Sequence, residues 1–398
     1  HSNQVQPLPP KLARRLYGRR TYASVTRLQR FAACPFQHFT YHGLNLRARE
    51  VFGVDLPSLG QFTHAVLSRV TERLLEDERG FGELMPQEAV QMVQEEVREF
   101  VPEFAGGVLE TSPRYVYLTG RLERLLTAAV GVLREQAQQG QFKPWATEAR
   151  FGFADAKLPG LRFQLDDGSE FVLAGQIDRI DVARSKENTY FTVVDYKSRS
   201  QRLALYEVYF GLSLQLLVYL LVATAGLQEL GEELALPAGI FYFAVQEGFL
   251  RCQGPLSPKT AVAERLKKFR LEGLVRGEAE VVQLLDQQGG GTVTTQILNK
   301  DGSLRKGSPA VSEEQFELLL NFAAEKVKEI GSRALTGEVQ IAPYKLAGNT
   351  ACDYCDFAPV CQFDPVLVGN AYRVLPKLTV QEAWQAFKTA CKGDKKHE

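Results

Sequence analysis

Apolar residues return every fourth position as Phe62, Val66, Val70 and Leu74, and this period predicts an amphipathic helix over 60–78. Pro86 suits the first turn of another helix reaching about Val101. A longer helix spans 115–139, with Leu118, Leu122, Leu125, Ala129 and Val132 on one stripe and Gly140 ending it. Ser24 caps a short helix through Phe31. Then the period changes. Residues 146–153 and 161–165 read as extended, Asp166-Asp167-Gly168 as a turn, and 171–182 as a strand. A polar turn over 184–188 returns the chain into a second strand, 190–197, completing a hairpin. Residues 203–225 read as helical, 237–245 as a buried strand, and the surroundings of Lys267 and Val281 as helical again. Ser312-Glu313-Glu314-Gln315 is a capping box opening a helix to about Leu335. Strands cluster in the middle with helices on both sides, which predicts one α/β domain with helical insertions. Residues 1–20, with Pro7, Pro9 and Pro10, read as a linker or tail.

The hairpin carries the chemistry. Side chains alternate along a strand, so Asp195 and Lys197 share a face with Tyr196 opposite, and pairing through the turn brings Asp178 near Asp195. Two carboxylates beside a lysine can hold a hard divalent cation and orient a water. An Asp and a Lys two apart on an exposed strand are ordinarily a solvated ion pair worth little. Here Phe191, Val193 and Val194 precede Asp195, the pattern of a strand buried on both faces, where unpaired charge is costly. A metal site is the better reading. Asp181, three residues after Asp178, should face away and is structural.

The chain has 398 residues and 45% apolar content, enough for a substantial core. Its formal net charge is zero, so a nucleic-acid surface must be a local patch. Lys11, Arg14, Arg15, Arg19 and Arg20 form one candidate, although a solubilising linker accounts for them equally well. The longest apolar run, 216–225, is too short to span a bilayer, and no signal peptide opens the chain. A cytoplasmic protein is expected. The first residues are His1-Ser2-Asn3 rather than Met, as expected of a processed or excised piece.

Three of the six cysteines fall within ten residues as Cys352-x2-Cys355-x5-Cys361. Buried free cysteines scatter singly, and disulfides need an oxidising compartment, so a metal centre leads. Zinc favours paired CxxC knuckles and only one is present, whereas an iron–sulfur cluster accepts a remote fourth thiolate. Cys34, Cys252 and Cys391 all remain open for that position. If Cys34 takes it, the link to Cys352 closes a loop of roughly 318 residues, a staple worth roughly 5 kcal/mol against the unfolded chain.

Gly175-x-Ile177-Asp178, Asp195-Tyr196-Lys197 and Gln215-x3-Tyr219, between one early cysteine and the late cysteine triplet, resemble the RecB-type nucleases of the PD-(D/E)XK superfamily. The sequences around Ser24–Leu28, Cys34-Pro35-Phe36, 206–212 and 361–364 are similar to its iron–sulfur subgroup. The resemblance covers 12–365 and implies a restriction-endonuclease-like mixed central sheet flanked by helices, with helical insertions and a 4Fe-4S staple closing the domain. It places a catalytic core at about 146–250, a helical insertion at about 85–145, the whole nuclease domain at 21–365 and a C-terminal extension at 366–398.

Roles follow from the same resemblance. Gly60-x3-His64 matches the motif whose histidine is a metal ligand, Asp178 and Asp195 match the metal-binding carboxylates, and the Tyr196 carbonyl completes the shell around Mg²⁺ or Mn²⁺. Lys197 matches the lysine that activates the attacking water, while Gln215 and Tyr219, on one helical face, support the site. Glu148 is a candidate acid standing just behind the metal ligands. Cys34, Cys352, Cys355 and Cys361 are the implied cluster ligands. The implied activity is metal-dependent hydrolysis of single-stranded DNA on the 5′-to-3′ strand, leaving 5′-phosphate and 3′-hydroxyl ends, during resection of double-strand breaks. The implied partner is a helicase–nuclease of the AddA type, since no G-x4-G-K-[ST] phosphate loop occurs here. A non-catalytic DNA-binding module stabilised by its cluster is the alternative reading; the intact Asp178, Asp195 and Lys197 weigh against it.

Overall fold

The computed structural model describes residues 5–47, 49, 53–165, 168–229, 235–246, 254, 257, 260, 264, 266–287 and 291–393. Its elements run, in chain order, α1 Pro10–Tyr17, β1 Arg20–Ala23, α2 Val25–Ala33, α3 Pro35–His38, α4 Leu56–Glu76, α5 Pro86–Phe100 and α6 Pro113–Ala137. There follow β2 Lys143–Phe151, β3 Arg162–Gln164, β4 Glu170–Leu173, β5 Gly175–Arg184, β6 Thr189–Lys197, α7 Leu205–Tyr209, α8 Gln215–Glu229 and β7 Ala235–Ala244. The last part holds β8 Glu272–Arg276, α9 Ala279–Leu285, β9 Ala310–Val311, α10 Glu313–Leu335, β10 Tyr344–Leu346, β11 Asn349–Thr350, α11 Ala358–Cys361, β12 Arg373–Val374 and α12 Val380–Gly393.

A six-stranded mixed sheet in the order β2-β5-β6-β7-β8-β9 forms the centre. β6 alternates its burial between two cores. Phe191 and Val193 enter one with α2, α8, α10 and α12, while Tyr190, Val194 and Tyr196 enter the other with α4, α5, α6 and α9. Helices on both faces explain why β6 reads as an almost unbroken apolar run. The β6–β7 pair is parallel and the β5–β6 pair antiparallel. A parallel neighbour requires a crossover, and α7 and α8 supply it. This is the restriction-endonuclease-like α/β architecture. No helix among the described residues is long and apolar enough to cross a membrane.

Several expectations change. Residues 10–17 are helix α1 rather than tail: Ala13 and Tyr17 are buried, and the Leu8 amide donates to the Gly337 carbonyl at 2.9 Å. The 203–225 segment is two helices, because Gly211 adopts φ +76° between them. The dihedral favours glycine, and a Cβ there would also press on Ile330 Cδ1 at 2.6 Å. The stretch around Lys267 is helical as expected where it is described, at 264 and 266–268, and β8 follows it; the rest of that stretch lies outside the described residues, as do Asp166 and Asp167 of the expected turn. The segment after 365 is built into the core: Ala383 and Phe387 of α12 are fully buried, and β12 pairs with β10.

Candidate active site

The C-terminal end of β6 sits where α4, β2, β5 and α8 meet. In the hairpin register Arg179 stands opposite Val194, which brings Asp178 level with Asp195. The Tyr196 amide donates to Asp178 Oδ2 at 2.6 Å. His64 on α4 places Nδ1 3.3 Å from that oxygen, with its ring edge-on to Tyr196. Glu148 approaches from β2 with φ +46°, a left-handed backbone that a non-glycine residue adopts at a cost. His64, Glu148 and Asp178 each offer a ligand atom, and the three atoms lie within 4.8 Å of one another. Glu148 therefore stands level with His64 and Asp178 rather than behind them. Its signal was visible: an acid among Ala146, Ala149 and Phe151, all buried on one strand.

Asp195 is 1% exposed. Lys197 Nζ stands 2.5 Å from its Oδ2, yet neither carboxylate oxygen has a well-directed hydrogen bond. Lys197 Nζ donates to Gln215 Oε1 at 3.0 Å, and Gln215 Nε2 donates to the Tyr219 hydroxyl at 2.9 Å. Starting α8 at Gln215 keeps this chain of contacts on one helical face, as the spacing predicted. Burial pushes the Tyr219 phenol up, so it stays protonated.

The electrostatics suit a cation. Burial, then the neighbouring Asp178 charge, holds the Glu148 carboxyl up at about 7, with His64 opposing. Burial and Asp178 likewise raise Asp195, against Lys197 and His64. Burial alone would lower His64, but its hydrogen bond to Asp178 and the charges of Asp178, Asp195 and Glu148 outweigh it and raise its pKa. The crowded carboxyls of Glu148 and Asp178 with the His64 imidazole, and the Lys197-paired Asp195 beside them, form an oxygen-and-imidazole donor set suited to Mg²⁺ or Mn²⁺. A cavity of about 800 Å³, lined by Gln61, His64, Arg69, Glu148, Ser198 and Arg199 among others, opens onto the cluster.

Asp181 faces the other way, as expected. Arg179 Nε donates to its Oδ2 at 3.1 Å, and Arg179 Nη1 donates to the Tyr196 hydroxyl at 2.9 Å.

Cys34 ends α2 and opens α3, and Cys361 ends α11. The Phe36 amide donates to the Gln340 carbonyl at 3.0 Å, the Arg373 guanidinium to the Ala32 carbonyl, and Tyr41 meets Phe357 edge-on. Burial, and then charge on Cys34 among other neighbours, raises the thiols of Cys352, Cys355 and Cys361, the last to about 11. Cys34 is thus in electrostatic reach of all three. Cys391 lies on α12 beside Phe322 and Leu165, and Cys252 is outside the described residues.

Fold and site together define a nuclease class, and the profile of the PD-(D/E)XK nuclease superfamily matches residues 22–362; the chain belongs to that superfamily. Three similar proteins are each named as part of an ATP-dependent helicase/deoxyribonuclease. That of Moorella thermoacetica is 40% identical over 387 residues, 97% of this chain and 33% of its own. That of Desulforamulus reducens is 39% identical over 400 residues, 100% of this chain and 34% of its own. That of Bacillus subtilis is 38% identical over 377 residues, 94% of this chain and 32% of its own. The chain spans about a third of the length of the curated relatives it matches.

Proposed function

We propose that this chain is a divalent-metal-dependent deoxyribonuclease acting on single-stranded DNA, the nuclease part of an AddB-type protein that works with an AddA-type helicase partner. The convergence of His64, Glu148 and Asp178 beside the Asp195–Lys197 pair carries this reading. The ion, when bound, supplies Lewis acidity and a lowered water pKa. His64, Glu148, Asp178 and Asp195 would hold it, and the Tyr196 carbonyl is the proposed fifth ligand. Gln215 and Asp195 fix the Lys197 ammonium, leaving its third N–H to orient the attacking water, while its charge stabilises that developing on the phosphate. Tyr219 in turn fixes Gln215. Cleavage is proposed to fall on the 5′-to-3′ strand, in the bacterial cytoplasm.

The second half of the proposal is a 4Fe-4S cluster on Cys34, Cys352, Cys355 and Cys361. Two observations support it. Cys34 shares an electrostatic neighbourhood with the triplet. The Arg373–Ala32 hydrogen bond and the Tyr41–Phe357 ring contact tie the early cysteine's segment to the late one.

The test is a labelled single strand incubated with the purified chain in Mg²⁺ and then in EDTA. Metal-dependent shortening that disappears in Asp195→Ala and Lys197→Ala, with binding retained, is expected. Undiminished cutting by either variant sinks the site assignment, and binding without cutting by the unaltered chain leaves a DNA-binding module. Iron, sulfide and zinc are measured on protein purified without air.

A further inference from the structure

Past the nuclease cluster, β2 leads to a second surface. Gly152 turns the chain off the strand with φ +79°, and a Cβ there would stand 2.3 Å from the Leu173 carbonyl. The turn swings Phe153 outward. Its ring lies nearly parallel to that of Tyr22, with 6.2 Å between centroids and 12° between planes. Both are large aromatics left 41% and 48% exposed. Arg150 stands over Phe153 at 4.9 Å and Arg20 over Tyr22 at 5.7 Å. Beside them lies a hollow of about 760 Å³ whose wall includes Phe153, Lys157 and Arg162, otherwise small and apolar residues, and no carboxylate among the described residues.

The cations divide into two kinds. Arg150 is held by Asp155 at 2.7 Å and Arg20 by Glu170 at 3.3 Å, so their charge is already answered. Lys157 instead rests over the Trp145 ring at 4.0 Å and pairs with no carboxylate among the described residues. Exposed parallel rings beside uncompensated cations in an acid-free hollow fit a polyanion with aromatic bases. Single-stranded nucleic acid is held by this combination of stacking platforms and backbone charge.

We propose that this surface is a subsite for single-stranded DNA, with a base stacked at Phe153 and Tyr22 and the adjoining phosphates neutralised by Lys157 and Arg162. The proposal rests on the nuclease reading and locates the strand beside that site. Glu148 lies on β2 and Phe153 two residues past its end; five residues apart, they are at most about 17 Å from one another. That is about five nucleotides at the rise of a duplex strand and fewer when stretched.

The full chain is titrated in EDTA, so that nothing is cut, against a fluorescent fifteen-nucleotide thymidine oligomer, by anisotropy at several salt concentrations. Phe153→Ala should weaken binding about fivefold or more with the salt dependence unchanged, and Phe153→Trp should restore it. Lys157→Gln should reduce the slope of log affinity against log salt by about 0.7, one phosphate contact. Both side chains are exposed, so melting temperatures should stay put. Wild-type affinity in Phe153→Ala and Tyr22→Ala, with an unchanged slope in Lys157→Gln, overturns the subsite, including the case where this face docks a protein. Strand cleavage in Mg²⁺ by those same variants at the wild-type level would leave the nuclease standing while the subsite falls. Binding that depends on Phe153 without cleavage in any divalent ion would do the reverse.

Discussion

The Tyr196 amide donates to Asp178 Oδ2 at 2.6 Å, so one bond between neighbouring strands sets where both acids of the hairpin stand. Tyr196 is also gripped from behind, through its hydroxyl, by Arg179. The two hairpin acids are therefore tied, through Tyr196, to a polar network buried in the core on one side of the sheet.

That network predicts a stability pattern. Arg179 and Asp181 form a buried ion pair, and removing one partner strands the other charge. Arg179→Met or Asp181→Leu alone should cost about 3–5 kcal/mol. The double variant, apolar on both sides, should recover most of the loss. Denaturant titration checks this; a double variant as unstable as the sum of the singles refutes it.

Lys197 is predicted to depend on Gln215 for direction. Gln215→Leu should lower kcat about tenfold with KM and Mn²⁺ affinity little changed, because the ammonium keeps its charge and loses its anchor. Tyr219→Phe should cost less, since Gln215 retains Lys197. Equal falls in metal affinity and kcat for Gln215→Leu would assign it to ion binding instead.

Glu148 links pH to stability. Its carboxyl sits at about 7 in the folded chain against an ordinary 4.5, so the fold retains a proton that the unfolded chain has released. Metal-free stability from this group is fully present below pH 4.5 and is lost as pH rises through 7. Glu148→Gln should therefore stabilise the metal-free protein at pH 8 by on the order of 2 kcal/mol and hardly at all at pH 4.5. Divalent ions, which need the carboxylate, should bind more tightly from about pH 6 to about pH 8 in the unaltered chain, releasing protons. Melts in EDTA at the two pH values decide; a gain independent of pH would count against the assignment.

The cysteines should act as a clasp. Cys34→Ser or Cys352→Ser is expected to abolish bound iron and sulfide together and to expose the segments around α3 and α11 to protease. Cys391→Ser, on α12 away from the cluster, should retain the iron. Wild-type proteolysis in Cys352→Ser would show that the contacts of Phe36 with Gln340 and of Arg373 with Ala32 hold the ends alone.

The hairpin and its flanking helices were legible in the sequence because period-2 and period-3.6 patterns are local. Asp178, Asp195 and Lys197 followed from strand alternation and one turn. Glu148 was under-read: its place among the apolar positions Ala146, Ala149 and Phe151 was visible, but the left-handed backbone it adopts was not. The break at Gly211 was missed for a similar reason. It answers to Ile330, over a hundred residues away. Residues 10–17 read as tail because prolines and charges dominate there, while only two small faces, Ala13 and Tyr17, are buried.

By itself the sequence determined the strands, the helical stripes and the chemical kinds of side chain available, since these depend on neighbours within a few positions. No local pattern decided that His64 and Glu148 stand with Asp178, or that Cys34 rather than Cys391 lies near the triplet; the family resemblance implied His64 and Cys34, and the tertiary structure brings the side chains together. It also decided that Phe153 meets Tyr22. Each of these joins parts of the chain brought together by burial of two cores against one sheet, and burial on that scale leaves no local signature.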